Sequence, residues 1–304
     1  MTPTTHTFGT VALMGPPNAG KSTLLNRILG EKLAIVTPKP QTTRNRISGI
    51  WTTEDAQVVF LDTPGVHRLR GRMNKFLLQA AWDALAQADA VAAVLDAALY
   101  AKKPGVYDKD VAPLADALRG AGRPLLVLAN KIDQVADKRE LLRVLAAIAE
   151  TWPEAEIIPV SAATGDGVDV FLKRLVELLP EGDALFPDDQ LSTVPLRFMV
   201  SEIVREKVFM ELEQELPYQT AVEIESWEEE GALLRVGALI WTARENHKGI
   251  IIGRRGERLK RVGQAARLEI EELTGMKVHL QLWVKVREGW TEDPGFLRGL
   301  GFGE

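Results

Sequence analysis

Gly15-Pro16-Pro17-Asn18-Ala19-Gly20-Lys21-Ser22 decides the reading of this chain. The octapeptide follows an apolar run of strand length, residues 8–14 (FGTVALM), and opens a helical stretch from Ser22 to about Leu29. It fits G-x-x-x-x-G-K-[ST] in the strand–loop–helix context that the pattern requires. The glycines let the backbone wrap close to a phosphate, and successive N–H groups and the helix N-terminus then face the anion. Gly15, Asn18, Ala19, Gly20, Lys21, Ser22 and Thr23 are therefore candidate phosphate-loop contacts. Lys21 is placed to reach the β- and γ-phosphates, and Ser22 to ligate Mg²⁺. The plain alternative is a chance Gly-rich turn, and the flanking strand and helix argue against it.

Working outward, 57–61 (QVVFL), 90–96 (AVAAVLD), 124–129 (PLLVLA) and 156–160 (EIIPV) are further short apolar runs. Helix-like segments lie near 72–88, 108–119, 137–150 and 168–179. Strands alternating with helices predict an α/β domain with a mostly parallel sheet covered on both faces. Residues 44–51 alternate in polarity and predict one antiparallel edge strand. The rhythm breaks at 180–195, which holds three prolines and reads as a linker. Beyond it the order changes to a helix at 196–212, strands at 219–227 and 232–241 around an acidic turn 228–231, a helix–loop–helix, and a strand at 277–286. That is a small α+β domain. The expected division is 1–179, a linker 180–195, and 196–304.

Asp62-Thr63-Pro64-Gly65 follows the strand 57–61. An acid at the C-terminal end of such a strand sits on the ligand side of an open α/β sheet. Asp62 would hold Mg²⁺ through water, and the Gly65 N–H could meet a γ-phosphate. Alone the tetrapeptide is a common turn; about 40 residues after a phosphate loop it has a role. Asn130-Lys131-Ile132-Asp133 follows the strand 124–129, and Ser161-Ala162-Ala163 follows the next. With these the chain resembles the translation-factor-related GTPases. The resemblance implies that Asp133 accepts hydrogen bonds from the guanine N1–H and amino group. Adenine would leave that carboxylate unpaired, a mismatch of several kcal/mol. It also implies that Asn130, Lys131, Ser161, Ala162 and Ala163 close over the base, so the cofactor is GTP or GDP with Mg²⁺. Gln41-Thr42-Thr43-Arg44 resembles the switch loop whose threonine binds Mg²⁺ when γ-phosphate is present. Thr43 is favoured over Thr42 by position, which gives Lys21, Thr43, Asp62 and Gly65 as the catalytic set and Ser22, Thr43 and Asp62 as the Mg²⁺ ligands.

Many GTPases orient the attacking water with a glutamine just after D-x-x-G. Val66 holds that place here and cannot hydrogen-bond water; His67 is next, either a helper or a bystander. The sequence thus resembles the hydrophobic-substituted GTPases, in which the asparagine corresponding to Asn18 helps hold a K⁺ ion that supplies positive charge. Slow intrinsic hydrolysis is the expectation.

Net charge is −5, which taken alone argues against a nucleic-acid partner. The distribution says otherwise. Residues 244–261 (RENHKGIIIGRRGERLKR) hold seven basic and two acidic side chains around Gly253-Arg254-Arg255-Gly256. A G-x-x-G between two helices is the KH signature, a loop that clamps the backbone of single-stranded RNA. Lys248, Ile252, Gly253, Arg254, Arg255, Gly256, Arg258 and Lys260 are the candidate RNA contacts, and a solvated basic helix is the plain alternative. Trp283 on the last strand reads as core rather than as a stacking platform.

A single GTPase domain followed by a type II KH domain, with GPPNAGKST, QTTRNRI, DTPGVH, NKID, the Arg205–Phe209 stretch REKVF, ELPY at Glu215 and VHLQLWVKVREGW from Val278, resembles the Era-type ribosome-assembly GTPases over nearly the whole length. The resemblance implies binding to the 3′ region of 16S rRNA on the 30S subunit. It implies a cytoplasmic monomer with no DNA partner and a peripheral contact at the inner face of the cell membrane, for which the sequence offers no cause. The chain has no cysteine, which excludes disulfides and thiolate metal sites and fits a reducing compartment. Residues 1–10 (MTPTTHTFGT) lack signal-peptide character, and no apolar run approaches transmembrane length. Two rivals stay open: a GTPase of tRNA modification, which the KH signature disfavours, and an RNA-binding scaffold with a merely structural nucleotide pocket, which intact Lys21, Ser22 and Asp62 disfavour.

Overall fold

β1 (Thr7–Met14), β3 (Ala56–Asp62), β4 (Ala90–Asp96), β5 (Leu125–Asn130) and β6 (Glu156–Pro159) pair in parallel because each leads into a helix that must cross back over the sheet. These lie in a computed structural model that describes residues 6–39, 42–66 and 71–301. β2 (Ile47–Thr52) adds antiparallel to β3, giving one sheet of order β2-β3-β1-β4-β5-β6. Every position of β3 is buried, as a strand covered on both faces requires. The covering helices are α1 (Lys21–Leu29), α2 (Arg72–Gln87), α3 (Ala97–Lys102), α4 (Tyr107–Gly120), α5 (Lys138–Thr151) and α6 (Val168–Val176). The chain leaves β1 to one side for β3 and to the other for β4, so the C-terminal ends of these strands form the crevice where open α/β sheets bind ligands.

The chain forms two compact units, and the first takes in the described parts of Met1–Ala34, Thr43–Leu69 and Leu77–Thr193. Two details depart from the sequence reading. The six-residue α3 was hidden because its residues continue the apolar run of β4; the Asp96 side chain marks its start by accepting from the Leu99 N–H at 2.8 Å. The edge strand begins at Ile47 rather than 44, after Thr43 has turned inward.

The stretch read as a linker lies along this unit. Glu181 bridges to Thr7 on β1, and Ser192 bridges to Gly49 on β2. Gln57, fully buried in β3, anchors the middle. Its Nε2 donates to the Phe186 carbonyl (2.8 Å) and to Thr52 Oγ1 (3.1 Å), and its Oε1 accepts from the Leu185 and Phe186 N–H groups (2.8 and 2.9 Å). A proline-rich stretch has few backbone donors, and one glutamine supplies what it needs.

The second unit takes in the described parts of Ile35–Thr42, Arg70–Phe76 and Val194–Glu304. α7 (Leu196–Glu211), β7 (Thr220–Glu230), β8 (Leu233–Thr242), α8 (Glu245–Ile252), α9 (Glu257–Thr274) and β9 (Lys277–Val286) give the helix–strand–strand–helix–helix–strand order expected of a type II KH domain. β7 pairs antiparallel and β9 parallel with β8. Val204, Val208, Ile240, Ile251, Val262, Ala266 and Ile270 fill the core between sheet and helices. The acidic run belongs to the exposed end of β7, and the turn is Gly231-Ala232, because Glu230 still pairs with Leu233. Trp283 is not core. It is 42% exposed, because the strand alternates and Val284 takes the inward place; the ring lies over Gly237 instead. The tryptophan buried in this unit, among the described residues, is Trp290, packed near Phe296 of α10 (Pro294–Gly299). Among the described residues no helix is long and apolar enough to cross a membrane.

Gln57→Leu keeps the side-chain volume but leaves two N–H groups and a carbonyl of the 185–186 stretch without their partner. It is expected to destabilise the first unit by about 2–4 kcal/mol, seen as a lower urea midpoint with an unchanged slope.

Candidate functional site

Four loops leave the C-terminal ends of β1, β3, β5 and β6, and their side chains bond to one another across the crevice. The first runs from β1 into α1 with Gly20 at the helix cap. The Lys21 ammonium lies folded over this loop, donating to the carbonyls of Gly15 (3.1 Å) and Pro16 (3.0 Å). Burial pushes its pKa down to about 8, partly opposed by the Asp62 charge. Gly65 needs to be glycine because a Cβ there would fall 2.6 Å from the backbone of Pro17. The Val66 N–H then reaches the Gly15 carbonyl at 3.0 Å, and the Val66 side chain is buried in the core. His67 and Gln41 lie outside the described residues.

Ser22, Thr43 and Asp62 come together at one point. Ser22 Oγ donates to Asp62 Oδ2 at 2.6 Å and lies 2.8 Å from Thr43 Oγ1, which is 3.4 Å from the same carboxylate oxygen. Asp62 is fully buried, and that burial raises its pKa against the opposing pull of Lys21, Ser22, Thr43 and the Thr63 N–H. Its other oxygen, Oδ1, is buried without a hydrogen-bond partner. Two hydroxyls and one carboxylate with an unsatisfied oxygen are a hard donor set that fits Mg²⁺, which keeps most of its shell for waters and phosphate. No cluster of three or more His, Cys, Asp or Glu side chains occurs among the described residues, so an all-protein metal cage is not what this site offers. Asn18 stands exposed at the crest of the loop with φ 60°.

At the other end of the crevice, the Asn130 carboxamide donates to the Ala19 carbonyl (2.8 Å) and accepts from the Ala162 N–H (2.9 Å). Lys131 Nζ donates to the Asn18 carbonyl and to Asp96 Oδ2, each at 2.6 Å. Ser161 Oγ donates to Asp133 Oδ1 at 2.7 Å and accepts from the Thr164 N–H at 3.1 Å. Asp133 is itself exposed, so the penalty against adenine applies once a base has covered the carboxylate. Thr23 lies in the first turn of α1, half-buried. Two residues of this ring were not singled out from the sequence. Asp96 reads there only as the end of a strand, and Arg27 as a surface helix residue; neither belongs to a motif.

Arg205 is a third. In the second unit its guanidinium, 3% exposed, pairs with Glu202 at 2.5 Å and donates to the Thr42 carbonyl at 2.5 Å. Val36 N–H bonds Glu206 Oε1 at 3.0 Å, and Lys39 Nζ bonds the Phe209 and Leu212 carbonyls. α7 can bury these charges because each has a partner. Val36, Lys39 and Thr42 are thereby each held by hydrogen bonds to α7 or the residue that ends it.

The G-x-x-G loop joins α8 to α9. Gly253 has φ 74°, and a Cβ there would fall 2.7 Å from Arg258 Cβ, so only glycine fits. Arg254 and Arg255 are exposed at its tip. Arg258 is engaged elsewhere, donating to the Ile250 carbonyl at 2.5 Å, and Lys248 pairs with Glu245 at 3.6 Å. Of the isoleucine run, Ile251 is core, Ile252 half-buried and Ile250 exposed. Beside the loop, α9 and β9 border a groove of about 460 Å³, with Leu259, Gly263, Leu280 and Leu282 on its floor and Lys260 and Arg267 along it. An apolar floor edged by cations suits stacked bases and a phosphate backbone.

A family profile described as a 50S ribosome-binding GTPase matches residues 10–131, and a KH-domain profile matches 215–291. GTPase Era of Nitratidesulfovibrio vulgaris (strain DP4) is 56% identical over 303 residues, covering 99% of this chain and 98% of the relative. The chain belongs to the Era family of GTPases. GTPase Era of Geobacter metallireducens is 47% identical over 97% of both chains. Among solved structures, a point variant of Aquifex aeolicus Era bound to GDP·AlF₄⁻ has 37% identity and TM-score 0.88 over 98% of this chain and 100% of that one. Era in complex with MgGDPNP and nucleotides 1506–1542 of 16S ribosomal RNA has 37% identity and TM-score 0.89 with the same coverage. This Era-family chain is thus a GTP-hydrolysing P-loop enzyme with a KH domain, and the two expected folds, including the single antiparallel edge strand, are present.

The Lys21 pKa has a signed consequence for stability. The folded value of about 8 lies below the free-lysine value of 10.5, so between these the unfolded chain binds more protons. Stability without nucleotide should therefore rise with pH between about 8 and 10.5, and this lysine should contribute no pH dependence below or above that window. Measured against Lys21→Met, the gain from pH 8 to pH 10 should be about 2 kcal/mol in urea-unfolding free energy; parallel pH profiles for the two proteins would contradict it.

Proposed function

We propose that this GTPase is a nucleotide-gated RNA-binding switch that engages the 3′ region of 16S rRNA during maturation of the 30S subunit. One observation carries the reading. A hydrogen-bonded ring of guanine-type motifs and a G-x-x-G loop beside an apolar groove stand on one chain, and a relative similar over its full length binds MgGDPNP and 16S rRNA nucleotides together. The functional division is a GTPase domain at 1–179, a connecting stretch at 180–195, and a KH domain with a C-terminal extension at 196–304.

In the GTPase domain Lys21 would leave the Gly15 and Pro16 carbonyls for the β- and γ-phosphates, regaining the charge that burial now disfavours. The N–H groups of Gly15, Asn18, Ala19, Gly20, Ser22 and Thr23 line the phosphate path. Ser22, Thr43 and Asp62 would hold Mg²⁺, which when bound neutralises charge on the phosphates. The Gly65 N–H would donate to the γ-phosphate. Asn130, Lys131, Asp133, Ser161, Ala162 and Ala163 hold guanine. Val66 cannot orient water, so intrinsic turnover is slow. Asn18 would help hold a K⁺ ion, which would supply part of the missing positive charge. The KCl rate should exceed the NaCl rate several-fold, and Asn18→Ala should erase the difference; equal rates in the two salts exclude a K⁺ role.

In the KH domain Arg254, Arg255 and Lys260 meet phosphates, Gly253 and Gly256 admit the strand, and Ile252 borders the bases. Lys248 and Arg258 act through the loop they support. Ordering of the segment around Thr43 by GTP then changes RNA affinity, and linkage requires RNA to change nucleotide affinity by the same factor. The protein works as a cytoplasmic monomer with no DNA partner, and a peripheral membrane contact rests on family likeness alone.

Arg254→Ala is expected to weaken binding of a 16S 3′-end fragment about tenfold while leaving GDP affinity unchanged. Lys21→Ala should abolish turnover and spare RNA binding. Fluorescence anisotropy with labelled RNA, run with GDP and with a non-hydrolysable GTP analogue, reads both; identical RNA affinity in the two nucleotide states would rule out the switch.

A further inference from the structure

Arg27 belongs to none of the nucleotide motifs, yet from α1 its side chain reaches the loop after β6. Its Nε donates to the Ala162 carbonyl at 3.2 Å, and its terminal amino group donates to the Ala163 carbonyl. Two consecutive carbonyls are thus turned toward α1. A trans peptide holds its N–H antiparallel to its C=O, so the N–H groups of Ala163 and Thr164 must point the opposite way. The second of these fixes the direction. Thr164 N–H donates to Ser161 Oγ, which itself donates to Asp133 Oδ1. The side of the loop away from Arg27 is therefore the Asp133 side, where the base is read. The Ala162 N–H is already committed to Asn130 Oδ1, and Gly165 N–H closes the turn onto the Ser161 carbonyl.

We propose that Arg27 is a positioning residue for guanine selection: by holding the Ala162 and Ala163 carbonyls, it presents the Ala163 N–H to the six-keto oxygen of the base. The inference rests on the guanine-site reading and adds to it a residue that never touches nucleotide. The planar guanidinium suits the task, because its rigid fork sets two separate N–H donors against the two carbonyls at a fixed spacing, whereas an ammonium is a rotatable point charge. The consequence is chemical as well as structural. Without Arg27 the 162–163 peptide can rotate, and the hydrogen bond that disappears is specifically the one to the oxygen at position six.

The test compares GDP with 6-thio-GDP, whose sulfur accepts hydrogen bonds poorly, on the full chain by titration calorimetry. Arg27→Ala should lower GDP affinity roughly three- to tenfold and 6-thio-GDP affinity less than twofold. A variant that merely loosens the fold would weaken both ligands equally, and that result, or no loss for either, overturns the proposal. Arg27→Lys, with the fold checked by its melting temperature, carries the same comparison if the alanine variant does not fold, and it should show the same selective loss. The wild-type titration separates the two layers: failure to bind GDP at all refutes the guanine site itself, whereas normal GDP binding with an unselective Arg27 effect refutes only the role of Arg27.

Discussion

One buried carboxamide sets the spacing of the nucleotide crevice. Asn130 donates to the phosphate loop at Ala19 and accepts from the base loop at Ala162, while its own backbone ends β5. Three loops from non-adjacent stretches of sequence are therefore held by a single planar group whose two ends cannot move independently. Each bond contributes only about 1 kcal/mol net. Removing the side chain would leave a buried carbonyl and a buried N–H unmatched, and that penalty is what makes the arrangement specific. Lys131 repeats the pattern one residue on, tying the Asn18 carbonyl to Asp96, and Ser161 repeats it between Asp133 and Thr164. The base and phosphate sites are thus one hydrogen-bonded object.

The phosphate end is built on a different physical basis, that of charge kept from water. Lys21 and Asp62 are both buried, and burial moves both toward neutrality. Neither has a full ionic partner: Lys21 rests on two carbonyls, and Asp62 keeps one oxygen unmatched. A polyanion with a divalent cation satisfies both at once, the phosphates for the lysine and the metal for the carboxylate. The free protein therefore carries desolvation that such a ligand would relieve.

Much of this was legible in the sequence because the motifs sit at strand ends, where the short apolar runs stop and chemistry begins. Gly15 to Ser22, Asp62 to Gly65, Asn130 to Asp133 and Ser161 each follow a run that reads as a strand, and the structure brings them to one crevice. What was not legible depends on partners distant in sequence. Arg27 lies 135 residues from the carbonyl it holds, and nothing local distinguishes it from any exposed helix arginine. Arg205 stood inside a recognised stretch, but only the fold shows that it grips the Thr42 carbonyl. Gln57 stood only as the first residue of the run 57–61, and its role appears only once residues 185–186 lie beside it. Trp283 was misplaced for a related reason: alternation says that one of Trp283 and Val284 faces inward, and it does not say which.

The basic segment shows how a chain of net charge −5 can still address RNA. Counting its cations overstates the surface offered to phosphate. Arg258 holds the end of α8, Arg261 pairs with Glu211, and Lys248 pairs with Glu245. Arg254 and Arg255 remain exposed at the loop tip, with Lys260 beside the groove. The engaged cations fix the loop, and the exposed ones are left open to solvent at its tip. Under the proposed RNA reading, so few phosphate contacts would give a shallow salt dependence, and discrimination would fall to the groove, whose lining includes Leu259, Leu280 and Leu282 and suits unpaired bases.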